Sequence, residues 1–181
     1  MTSPNEISLV GGVVHNLKLN GSWTGETHVQ KTAYILKNTE KVPFESAFIL
    51  YKHGPFSFEL NGAINQMRAQ NILKITPQGS YGSTIELNRE FWLALNRVGA
   101  KIYDKYEQQI QFVCTKLAKK NVAELERIAT AIYVYLNFHL ASDQERARKL
   151  VELKPHIQLN DALSAVSEAE TFTERLPKNV D

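Results

Sequence analysis

His53 and Ser57 stand four residues apart across Gly54 and Pro55. That spacing can bring an imidazole to a hydroxyl, the first half of a nucleophile-and-base arrangement. Catalysis by such a pair also needs a group that orients the base, and no third residue at a recognisable spacing supplies it. Cys114 is the only cysteine. Set between Val113 and Thr115 in an apolar run, it reads as an inert buried thiol. His28, His139 and His156 fall at no metal-ligand spacing, Asp104 and Glu107 form a solvated i,i+3 pair, and Gly11-Gly12 lacks the rest of either nucleotide fingerprint. No catalytic set, metal or cofactor is expected, and the sequence reads as non-enzymatic.

The chain of 181 residues is 43% hydrophobic and 22% charged, the balance of a folded globular protein, which excludes intrinsic disorder and collagen-like repetition. Its 21 Lys and Arg against 19 Asp and Glu leave +2, too little to demand a polyanionic partner. Residues 89–128 are mildly basic and 129–181 mildly acidic. Even Ile128 to Leu140 is interrupted by Thr130, Asn137 and His139, short of the roughly 18 apolar residues of a membrane span. No membrane partner is expected. With one cysteine and no basic start leading into an apolar run, the expected location is cytoplasmic.

Periodicity predicts the elements that position these residues. Ile7, Val10, Val13, Val14 and Leu17 mark a helix over 5–18, weakened by about 1 kcal/mol at each of Gly11 and Gly12. Thr27 caps a second helix carrying Val29, Ala33 and Leu36. Ser46 to His53 reads as a short strand ended by Gly54-Pro55. Phe56, Leu60, Ile64 and Met67 then predict a third helix entered through proline at its first position. Ile72–Thr76 and Ser83–Leu87 predict a hairpin with a loose tip from Pro77 to Gly82. Beyond Asn88 the pattern is helical, with apolar residues from Phe91 to Leu117 broken at Gly99, a capping box at Asn121 and Glu124, a further start at Ser142 and Glu145, and a turn at Lys154-Pro155-His156. A last helix runs from Asn160 to about Phe172, and Leu176 to Asp181 reads as a loose tail. The fold class is mainly α, of α+β type: a winged-helix-like N-terminal half with a small β-hairpin, residues 1–88, packed on a C-terminal helical bundle, residues 89–181.

That element order makes a winged-helix DNA-binding regulator the alternative function. The third helix offers Asn61, Asn65, Gln66 and Arg68, and amide side chains can pair bidentately with adenine. Lys74 and Arg68 are the only cations between Lys52 and Arg89, where grip on a phosphate backbone takes several. Binding of another protein leads instead. Tyr51, His53 and Ser57 gather at a helix start whose free N–H groups can receive an anionic group. Gln30 and Lys31 precede Tyr34 on the second helix, with Lys31 expected to reach solvent or to pair with Glu59. Tyr81 sits at the hairpin tip. Trp92, Tyr103, Tyr135 and Phe138 exceed what one helix face can hide, the makings of an interface anchor.

Four segments carry a resemblance: His28-Val29-Gln30-Lys31-Thr32-Ala33-Tyr34-Ile35-Leu36, then Tyr51-Lys52-His53-Gly54-Pro55-Phe56-Ser57 with Glu59-Leu60, then Leu125-Glu126-Arg127-Ile128-Ala129-Thr130-Ala131, and Leu153-Lys154-Pro155. In these the chain resembles the YwgA-like family and, more distantly, the Panacea domain of SocA-like antitoxins, over most of residues 24–165. The resemblance implies a winged-helix-like domain with added helices and no established enzymatic activity. It also implies an adaptor or antitoxin-like regulator whose partner is another protein, a toxin or a phage-defence component. A second copy of the chain is the partner that would cover an apolar patch left by the surplus aromatics. The chain departs from the pattern in lacking an adjoining toxin or DNA-binding domain.

Overall fold

The computed structural model describes residues 2–79, 82–90, 92–93, 101–174 and 176. Helix α1, Pro4–Leu19, begins at Ser3, whose Oγ accepts the Glu6 N–H. It packs most extensively on α4, Ile102–Leu117. Gly11 and Gly12 persist in this helix because two rings lie on its backbone. A Cβ at Gly11 would sit 2.4 Å from the Trp92 indole, and one at Gly12 would sit 2.3 Å from the Tyr103 ring. Trp92 Nε1 donates to the Ser8 carbonyl at 3.3 Å, and the Tyr103 hydroxyl accepts from Asn16 Nδ2 at 3.0 Å. Both rings are therefore inside the protein, and neither offers a surface anchor.

Helix α2, Glu26–Thr39, starts at Gly25 rather than at Thr27. Residues 28–36 are all buried, because α2 is wedged among α1, α4, α5 (Val122–Asn137) and the first hairpin. That hairpin pairs β1, Ile49–Tyr51, with β2, Gly54–Phe56, in antiparallel register, Leu50 opposite Pro55. It corrects the expectation that Gly54-Pro55 ends a strand and opens a helix. Gly54 takes φ +81°, a left-handed conformation that favours glycine, and returns the chain after a Lys52-His53 turn. Pro55 lies in the return strand. Helix α3, Phe58–Ala69, starts later, with Ser57 Oγ accepting the Leu60 N–H. Its inner stripe is Leu60, Ala63, Ile64 and Met67.

Strands β3, Leu73–Pro77, and β4, Ser83–Leu87, form the second hairpin in the expected place, with Ile75 opposite Ile85. The Ile85 N–H donates to the Thr24 carbonyl at 2.8 Å, tying this hairpin to the loop before α2. Both expected capping boxes are present, Asn121 with Glu124 before α5 and Ser142 with Glu145 before α6, Asp143–Leu153. Helix α7, Leu159–Thr173, packs on α5 and α6. The fold is thus a mixed α/β N-terminal region with small antiparallel hairpins, followed by an all-helical C-terminal bundle. One hydrophobic cluster runs from Ile7 to Phe172 through both. The expected break at Gly99, the hairpin-tip Tyr81 and the tail beyond Leu176 lie outside the described residues.

Candidate functional site

The segments from α2, the first hairpin, α5 and the turn after α6 meet at one place. Gln30 lies along the chain at Ser57 and mimics a neighbouring strand: its Nε2 donates to the Ser57 carbonyl at 2.9 Å, and its Oε1 accepts the Ser57 N–H at 3.0 Å. Lys31 is 2% exposed and its Nζ donates to the Pro55 carbonyl at 2.8 Å. It neither reaches solvent nor meets Glu59, whose carboxylate instead accepts the Ala47 N–H. Burial lowers the Lys31 pKa to about 8, and the nearby Lys154 pushes the same way while Glu126 and Glu26 resist. From the other side Lys154 Nζ donates to the carbonyls of Tyr51 and Lys52.

Glu126 is the acid of this cluster. Its side chain is 8% exposed, with His156 Nε2 3.1 Å from Oε1 and His53 Nδ1 3.5 Å from Oε2. His53 is thereby turned to Glu126, while the Ser57 hydroxyl serves as the cap of α3. Gly54 fits only because it has no side chain, since a Cβ there would stand 2.9 Å from Thr130 Oγ1 on α5. Two ammonium groups, one amide and one carboxylate therefore fix the hairpin against α2 and α5. Among the described residues no cluster of histidine, cysteine and acid is suited to hold a metal.

The outer surface of the same hairpin is apolar. The Tyr51, Phe56 and Phe58 rings lie 5.1–5.9 Å from one another, two of the contacts edge-on. Ile49 stands opposite Phe56 in the strand register. Ile49, Tyr51 and Phe58 are 51%, 50% and 58% exposed, large side chains left half in water on a backbone held rigidly from below.

Of the residues that the sequence points to for protein binding, Tyr51 is on this surface, and His53 is exposed at the hairpin turn but faces Glu126. Gln30, Lys31, Tyr34, Ser57 and Trp92 are buried and hold the fold. Tyr34 packs its ring edge-on to Phe48 at 5.5 Å. Tyr135 and Phe138 lie under the cations of Arg146 and Lys149. Sequence reasoning missed Ile49 and Phe58 as surface residues, and Phe56 as the partly buried ring beside them. The signal was there for Phe58: it stands two residues before Leu60, nearly opposite the inner stripe of α3.

The residues considered for DNA are mostly engaged within the chain. Gln66 Oε1 accepts from the Thr2 N–H and hydroxyl, Asn61 Nδ2 donates to Glu26, and Asn65 bonds Asn61. Arg68 and Lys74 are exposed. A separate cleft of about 800 Å³ opens between the start of α2 and the α4–α5 turn, walled by Trp23, Glu26, His28 and Lys120. Of its charged walls, Glu26 accepts from Asn61 and Lys120 pairs with Glu168, while Lys119 also lines the cleft and is exposed. Among the described residues no helix is long and apolar enough to cross a membrane. Comparison with family models, with curated proteins and with solved structures finds no match for this chain.

Proposed function

We propose that the protein is a non-enzymatic binding module, an adaptor or antitoxin-like regulator, that docks another protein on the first hairpin. The observation that carries this is the half-exposed Ile49, Tyr51 and Phe58, packed with the partly buried Phe56, on a hairpin clamped from beneath by Lys31, Lys154 and Gln30. Covering such rings recovers about 25 cal/mol per Å² of apolar surface. A clamped backbone loses little further freedom on binding. The resemblance to YwgA-like and Panacea-type proteins supports a protein partner of the toxin or defence class. Specific DNA binding has less support, because Gln66 and Asn61 on the polar side of α3 are bonded within the chain.

The test is affinity capture from the native host with the full chain and its Tyr51→Ser/Phe58→Ser variant as baits. One protein retained at fixed stoichiometry by the first and lost from the second is the expected result. Retention of duplex DNA at about 0.15 M salt, abolished by Arg68→Ala with Lys74→Ala, would put the DNA reading in its place.

A further inference from the structure

The two edges of the first hairpin are treated differently. In an antiparallel pair, opposed residues alternate between exchanging two hydrogen bonds and exchanging none. Leu50 opposes Pro55, which has no N–H, so this pair is of the second kind and both residues direct their backbone polar groups outward. On the β2 side the outward group is closed: Lys31 takes the Pro55 carbonyl, and Gln30 takes both groups of Ser57 just beyond. On the β1 side the strand pairs with β2 alone among the described residues, leaving the Leu50 N–H and C=O facing away from the sheet. Proteins usually blunt such an edge. Here it runs instead beside the exposed Ile49, Tyr51 and Phe58.

Resting on the docking role proposed above, we infer that the partner presents an extended segment that adds a third strand along β1. A helix laid on the same rings would leave the outward groups of Leu50 unpaired, whereas a strand pairs both and, with its period of two, sets every second side chain over Tyr51 and Phe58. Charge orients the segment. Lys52 is exposed at the turn end of β1, and Glu59 stands at the opposite end beside Ala47. The segment therefore carries alternating apolar residues and an acidic residue next to Lys52. Because β1 is only three residues long, the rings supply most of the affinity and the main-chain bonds set the direction and register.

The experiment pans a displayed library of random peptides on the full chain and measures the enriched peptide by fluorescence anisotropy. Three comparisons follow: the chain against Tyr51→Ala/Phe58→Ala, the chain against Lys52→Glu, and the peptide against a copy N-methylated at alternate backbone nitrogens. The expected result is an acidic, alternately apolar peptide that loses at least about tenfold in affinity in each comparison. Unchanged binding by the N-methylated copy on the unaltered chain overturns strand addition while the ring surface still stands as a docking site. Unchanged binding by the Tyr51→Ala/Phe58→Ala chain, or a library that yields no ligand, overturns both. Self-association of the chain that this same variant abolishes makes the occupant a second copy and overturns the peptide.

Discussion

The Lys31 ammonium lies 2.8 Å from the Pro55 carbonyl oxygen, shut away from water between α2 and the first hairpin. Its pKa, lowered to about 8 chiefly by burial, makes it a titrating group inside the fold. Unfolded, a lysine holds its proton to about 10.4. Between those values the unfolded chain binds more protons, so the Lys31 contribution to stability rises with pH. Urea midpoints measured from pH 7 to 9.5 are expected to climb more in the natural chain than in Lys31→Met. Parallel curves would show that this ammonium titrates normally. The buried Tyr34 phenol, pushed up by burial, acts oppositely but only above about pH 10.

The close approach of α1 to Trp92 predicts that Gly11→Ala destabilises although alanine is the better helix former. Overpacking costs about 1–3 kcal/mol, against about 1 kcal/mol gained in helix propensity. A lower denaturation midpoint with a shifted tryptophan emission is expected. Trp92→Leu in the same chain should relieve part of the loss, a coupling that a double-mutant cycle measures.

His28 Nε2 stands 2.9 Å from the Lys120 carbonyl at the α4–α5 turn. Burial lowers its pKa below the usual imidazole value, and the carbonyl contact opposes this. The stability it contributes is present above about pH 6.5 and is lost as pH falls through the lower folded value. His15, lowered first by burial and then by Arg89, adds to the same loss. Thermal midpoints between pH 7 and 5.5 are expected to fall less in His28→Gln, which keeps a donor but does not titrate.

Cys114 is fully buried beside the Val13 carbonyl, and burial pushes its thiol up, away from the reactive thiolate. Iodoacetamide at about pH 8 is expected to leave the native chain unmodified and to label it completely in urea, read by intact mass. Rapid labelling of the native chain would show that the α1–α4 seam opens.

What could be read from the sequence was local. The caps of α5 and α6 rest on side chains three residues from their targets, and the second hairpin is written in Pro77, Gly79 and Gly82. The thiol of Cys114 was legible from its apolar neighbours. The buried Lys31 was not, because its acceptor is a main-chain oxygen 24 residues away and no side-chain pattern announces a carbonyl. The first hairpin was hidden for a related reason: Gly54-Pro55 ahead of apolar residues is equally a helix entry, and only contact with Thr130 and Glu126 decides between them. Ile49 and Phe58 look like core residues by type, and their exposure follows from where α2 and α5 hold the hairpin.

The union of α1 with α4 spans about a hundred residues of chain, Val13 meeting Cys114 across that distance. On the ribosome the first helix emerges long before its counterpart exists, so Val10, Val13, Val14 and Leu17 wait uncovered while most of the polypeptide is still being made. Ending synthesis at the close of the second hairpin leaves those side chains, with Val29 and Ile35 of α2, without a lid. Such a truncated product is expected to bind chaperones and to be cleaved by proteases faster than the full chain, because the apolar face of α1 has lost its main packing partner.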